Sequence, residues 1–149
     1  MSNVEVLLID DEVEFAETLA ERLRLRSYDV TVTHRADDAL DALDAGMRPD
    51  VVLLDIKMPG IDGLDALKEI KLRDPEVEAI MLTGHGAAAS SIEGMKRGAF
   101  DYLMKPVDIS ELIARIDEAV SKKKAGEGNG AGRSGDESIG GAAAPGGED

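Results

Sequence analysis

Five side chains hold the chemistry this sequence has to offer: Asp10, Asp11, Asp55, Thr83 and Lys105. Three carboxylates drawn together repel one another and raise at least one pKa, unless a cation joins them. Every candidate ligand is an oxygen, so the cation that suits them is hard, Mg²⁺ rather than Zn²⁺. Lys105 brings a second positive charge and Thr83 a hydroxyl donor, and such groups stabilise charge on a transferring phosphoryl group. A carboxylate can itself be the nucleophile of that transfer and become an acyl phosphate.

Taken singly, each residue has a plainer account. Asp10-Asp11 suits a helix N-cap and a first-turn acid. Asp55, just ahead of Met58-Pro59-Gly60, suits a turn. Thr83 alone says little, and Lys105-Pro106 suits a solvated lysine before a helix. Position decides between the two accounts, so the elements that would carry these residues come next.

Val4-Glu5-Val6-Leu7-Leu8-Ile9 is nearly all apolar, as in a strand covered on both faces. From Glu12 to Arg26, Phe15, Leu19 and Leu23 recur with a spacing of four and predict a helix. Asp29 to Thr33 alternates like a strand. Ala36, Ala39, Leu40 and Leu43 make a second helical face, closed by Gly46. Asp50-Val51-Val52-Leu53-Leu54 is a third-strand run, and Met58-Pro59-Gly60 breaks regular structure after it. Leu64, Leu67 and Ile70 mark a helix ending near Asp74-Pro75, and Ala79-Ile80-Met81-Leu82 a strand. The Gly84-His85-Gly86 loop leads to a helix carrying Ile92 and Met95, ended by Gly98. Phe100-Asp101-Tyr102-Leu103 is the last strand. Ile109, Leu112, Ile113, Ile116 and Val120 form the last helix.

Five βα units in series predict an α/β domain, a doubly wound parallel five-stranded sheet with right-handed crossovers and helices on both faces. The second strand belongs at an edge. Ligands of such sheets bind beyond the carboxyl ends of the strands. Asp10 and Asp11 follow the first strand, Asp55 the third, Thr83 the fourth, and Lys105 with Pro106 the fifth. The joint pattern favours the phosphoryl site over five unrelated turn and cap residues.

Composition agrees. The chain has 149 residues, 43% of them hydrophobic, with no Cys or Trp and a net charge of −14. That charge opposes direct binding to nucleic acid or an anionic membrane. The missing Cys excludes disulfides and thiolate metal sites. No run approaches the roughly 20 apolar residues of a membrane helix, so a cytoplasmic location is expected. The domain is expected over residues 1–122, with a flexible Gly/Ala-rich tail over 123–149.

Four segments carry a resemblance. They are Ile9-Asp10-Asp11, then Leu53 to Gly63 with its Asp-x-x-Met-Pro-Gly-x-Asp-Gly pattern, then Met81-Leu82-Thr83-Gly84, and Gly98 to Pro106. From about Val4 to Val120 the chain resembles the CheY-like receiver domain of two-component response regulators. Thr83-Gly84-His85 and Gly98-Ala99-Phe100-Asp101-Tyr102-Leu103 are most similar to receivers of the nitrogen-regulation type. The resemblance implies a (βα)5 sheet in flavodoxin-like order 2-1-3-4-5. It implies Asp55 as phosphoacceptor, fed by a sensor histidine kinase or phosphotransfer protein. It implies Mg²⁺ on Asp11, Asp55 and the Lys57 carbonyl, with Asp10 acting largely through water. Thr83 and Tyr102 would be the switch pair, Lys105 the cation on the phosphoryl oxygens, and the bond to Pro106 cis. The outlet would be the face of the fourth helix, fifth strand and fifth helix, with Ile92, Met95, Lys96, Arg97 and Tyr102. A protein partner, a relay or a phosphorylation-dependent homodimer would read it.

The expected function is thus a phosphorelay switch and not an enzyme, with no DNA-binding output domain in this chain. The resemblance makes Lys57 and His85 the two positions that vary near Asp55 among receivers; neither is an acid or amide, so modest rather than fast loss of the phosphoryl group is expected. A haloacid-dehalogenase-type phosphatase would place Asp-x-Asp after the first strand, where this chain has Asp10-Asp11-Glu12. A phosphorylation-independent binding module would ordinarily have lost the acceptor, an acid or the lysine, and this chain keeps them all.

Overall fold

The computed structural model describes residues 3–58, 60–84 and 88–130. Pro59, His85, Gly86 and residues 131–149 of the expected tail lie outside the described residues. The strands are β1 (Glu5–Ile9), β2 (Asp29–Thr33), β3 (Val51–Asp55), β4 (Glu78–Thr83) and β5 (Asp101–Met104). They alternate with α1 (Val13–Arg24), α2 (Ala36–Asp44), α3 (Gly63–Arg73), α4 (Ala88–Lys96) and α5 (Ile109–Gly130). All pairings are parallel and the order is β2-β1-β3-β4-β5, the expected one.

The apolar runs of β1, β3 and β4 resolve into two alternating sets. Val6, Leu8, Val51, Leu53, Ile80 and Leu82 meet α1 and α5 on one face. Leu7, Ile9, Val52, Leu54, Ala79 and Met81 meet α2 and α3 on the other. Strand periodicity of two thus survives inside a run that looks unbroken, because both faces are covered. The first helix is shorter than its stripe implied: Ser27 takes a left-handed conformation (φ 72°), and the Tyr28 amide closes the turn onto the Leu23 carbonyl.

Two elements depart from simple periodicity. On α4, Ile92 and Met95 are exposed while Ser91 and Gly94 face inward. A Cβ at Gly94 would overlap the Met81 sulfur, so this helix packs through its smallest residue. The last helix runs through Gly130, into the stretch expected as tail. Lys122 pairs with Glu78 at 3.7 Å, and Lys123 with Asp50 at 3.7 Å and the Pro49 carbonyl at 3.3 Å. Those lysines tie the helix to the amino ends of β3 and β4. No helix among the described residues is long and apolar enough to cross a membrane.

The loop after β3 is fixed from its far side. Asp62 caps α3 by accepting a hydrogen bond from the Leu64 amide at 2.7 Å. Gly63, the next residue, lies so near the Ile56 main chain that a Cβ would overlap its carbonyl. Since Ile56 follows Asp55, this contact sets where the strand end lies. Gly63→Ala should lower stability by about 1–3 kcal/mol through overpacking, despite the ~1 kcal/mol that Ala gains over Gly inside a helix. Urea unfolding checks this, and a midpoint equal to or above wild type would show that the Ile56 main chain yields freely.

Candidate functional site

Strand register brings the chemistry together. Ile9 pairs with Leu54, Asp55 with Leu82, and Thr83 with Met104, so the carboxyl ends of four strands finish level. Asp10, Asp55 and Thr83 are all buried there, and Asp11 is half-buried. Asp10 accepts a hydrogen bond from the Glu12 amide at 2.9 Å, and Asp55 one from the Lys57 amide at 3.1 Å. One oxygen of each acid thus orders its own loop, as the turn reading of Asp55 expects, but neither Asp10 nor Asp11 is the helix N-cap. Glu12, at the N-cap of α1, makes no side-chain cap bond.

Carboxylate oxygens of Asp10, Asp11 and Asp55 lie within 4.8 Å of one another and could hold a metal ion. Asp10 Oδ2 is buried without a hydrogen-bond donor aimed at it. Lys105 Nζ pairs with that oxygen at 2.8 Å and stands 3.6 Å from Asp55 Oδ2. A set of three carboxylates, all oxygen donors, fits a hard cation. The acids open onto a cleft of about 650 Å³ lined by Asp11, Glu12, Phe15, Lys57, Lys105 and Pro106 among others. The Lys105–Pro106 peptide bond is cis.

Thr83 and Tyr102 stand apart from this group. The Thr83 hydroxyl donates to the Leu103 carbonyl at 3.4 Å, and Tyr102 is 43% exposed on edge strand β5. His85 lies outside the described residues. Two cleft residues were not singled out for chemistry from sequence. Glu12 forms a short ion pair with Lys105, and the Phe15 ring lies 4.5 Å from Lys105 Nζ. Phe15 reads as a core residue because it leads the α1 stripe. Its place one turn after the acid pair was the available signal.

Burial, and then the negative charge of Asp10, push the Asp55 carboxyl up to about 7, against the opposing pull of Lys105 and the Lys57 amide. For Lys105, burial acts downward, but Asp10, Glu12 and Asp55 together outweigh it and hold the ammonium above its ordinary range. Lys105 alone does not balance the charge of Asp10, Asp11 and Asp55.

The family model described as the response regulator receiver domain matches residues 6–117. The chain belongs to that family. This receiver is 40% identical over 114 residues to the DNA-binding transcriptional regulator NtrC of Klebsiella pneumoniae, a match covering 76% of this chain and 24% of NtrC. It is 40% identical over 111 residues to the transcriptional regulatory protein CpxR of Escherichia coli K12, covering 74% of this chain and 47% of CpxR. The receiver thus spans between a quarter and a half of these relatives. A receiver domain protein from Clostridium thermocellum superimposes with a TM-score of 0.78 at 36% identity, covering 82% of this chain and 98% of that one. NtrX of Brucella abortus does so with a TM-score of 0.81 at 31% identity, covering 87% of this chain and 29% of NtrX. The likeness to the nitrogen-regulation class stands, and the phosphatase alternative falls.

A carboxyl whose folded pKa lies above its unfolded value contributes stability below the unfolded value, and that contribution is lost as pH rises through the folded one. With Asp55 moving from 3.8 to about 7, the metal-free receiver should lose stability across that interval. Asp55→Asn should flatten the slope and exceed wild type by on the order of 1–2 kcal/mol at about pH 8, and by less at about pH 5. Urea unfolding in chelator across that range measures it; parallel curves for the two proteins would contradict the assignment.

Proposed function

We propose that this receiver takes a phosphoryl group on Asp55 and changes its partner-binding face in response. The observation that carries the reading is the meeting of Asp55 with Asp10 and Asp11, ligand oxygens within 4.8 Å, and Lys105 Nζ at 3.6 Å. The donor is a phosphohistidine on a sensor kinase or phosphotransfer protein. An Asp55 oxygen attacks phosphorus, the P–N bond breaks, and the electron pair stays on the imidazole nitrogen. Lys105 offers an ammonium to the phosphoryl oxygens. Asp10, Asp11, Asp55 and the Lys57 carbonyl would hold Mg²⁺, which when bound supplies charge to the phosphoryl oxygens and favours ionised Asp55.

The switch pair is Thr83 and Tyr102. The Thr83 hydroxyl has only a long bond to the Leu103 carbonyl to give up, and Tyr102 lies open to turn. Ile92, Met95, Tyr102 and Met104 are large, apolar and exposed on α4 and β5. The phosphorylated population favours a protein partner there, or a second copy of the chain. NtrC and CpxR are transcriptional regulators; the function assigned to this chain is the receiver's alone, in the cytoplasm, as a switch and not a turnover enzyme.

Incubation with a small acyl-phosphate donor should give one phosphoryl adduct by intact mass, present with Mg²⁺ and absent in chelator or in Asp55→Asn. No adduct on folded wild type would favour a constitutive binding module. After donor removal the adduct should decay at a modest rather than fast rate, since neither Lys57 nor His85 is an acid or amide that readily orients water. Replacing them together by Asn and Glu should speed decay about tenfold or more, and an unchanged half-life would refute that part.

A further inference from the structure

We propose that Phe15, with Glu12, is a positioning residue for Lys105. The ring face and the carboxylate hold the ammonium at the mouth of the cleft, ready for an incoming phosphoryl group. The inference rests on the phosphoacceptor reading and concerns how its cation is held.

Lys105 follows the edge strand β5, and its side chain must span to the middle of the sheet to reach Asp55. A lysine is a point charge on a flexible four-carbon stem with no planar fork to fix it. Two features of α1 confine it. The Phe15 ring lies 4.5 Å from Nζ, inside the distance at which an ammonium is attracted to a ring face. Glu12 pairs with the same nitrogen from the solvent side. Asp10 Oδ2 completes the set at 2.8 Å, nearer than Asp55 Oδ2 at 3.6 Å.

The contributions differ in kind. Glu12 is exposed, so its pairing with Lys105 is screened, and a phosphoryl oxygen can displace it. Phe15 is half-buried, anchored on the core shared by α1 and α5, so its ring stays when the carboxylate leaves. A ring attracts a cation without neutralising it, so Phe15 restrains the Lys105 stem and leaves its full charge for the phosphoryl group. Phe15 also lines the adjoining groove with Leu19, Pro106 and Val107.

The test uses three proteins: wild type, Phe15→Leu, which keeps apolar bulk but has no ring, and Phe15→Tyr, which restores a ring. Without donor, Lys105 side-chain protons should show an upfield ring-current shift in wild type and in Phe15→Tyr, and none in Phe15→Leu. With a small acyl-phosphate donor and Mg²⁺, Phe15→Leu should lose about two- to fivefold in maximal rate of adduct formation, at an unchanged half-saturating donor concentration. Phe15→Tyr should recover the rate. Glu12→Gln should shift the donor dependence more than Glu14→Gln, which makes the same charge change on α1 away from the Lys105 ammonium. Unshifted Lys105 protons in wild type, or Leu and Tyr variants with equal rates, would overturn the proposal while leaving Asp55 as acceptor. A folded wild type that takes no phosphoryl group overturns the acceptor reading and the positioning role with it.

Discussion

The structure is organised around one electrostatic constraint: Asp10 and Asp55 are buried side by side with a single lysine between them. Burying an ionised carboxylate is costly unless it is paired and hydrogen-bonded. Here each acid has one oxygen satisfied by a main-chain amide two residues on, and the inner oxygens face Lys105. Burial first, and the Asp10 charge second, raise the Asp55 carboxyl against the pull of Lys105. A site left short of positive charge at the end of a rigid sheet is poised to take a cation, and the charge of a phosphoryl group can be placed only where such cations gather.

The rest of the fold serves that arrangement. Parallel register levels the strand ends, and the two alternating apolar sets clamp β1, β3 and β4 from both faces. Gly63 lets α3 press against the residue after Asp55. The Lys105 amide donates to the Thr83 carbonyl at 2.7 Å, so the ends of β4 and β5 are tied by the main chain. On α4, Ser91 and Gly94 face inward and the larger apolar side chains Ile92 and Met95 face outward, on the side proposed to meet partners.

Much of this was legible because the relevant signals are local. A strand run followed by an acid, a hydroxyl or a lysine names both the element and its site residue, and the parallel topology supplies the convergence. What escaped depends on packing across elements. Periodicity makes Ile92 and Met95 the apolar stripe of α4 and only the resemblance put them on an outward face; the approach of Met81 to Gly94 shows that the buried side of that helix is its smallest. Composition puts Lys122 at the end of the domain and Lys123 at the head of the tail, and only the structure shows Glu78 beside the one and Asp50 with the Pro49 carbonyl beside the other. Phe15 satisfies the helical stripe and touches Lys105 as well, and periodicity reports only the first.

The most direct test of the charge imbalance is the titration of the Asp55 carboxyl carbon by NMR, in chelator and at saturating Mg²⁺. The account predicts a midpoint near 7 without metal, moving well down into the acid range when Mg²⁺ is added. A midpoint already in the ordinary carboxylate range, and unmoved by Mg²⁺, would mean that the three acids are independently solvated and that no cation site exists between them.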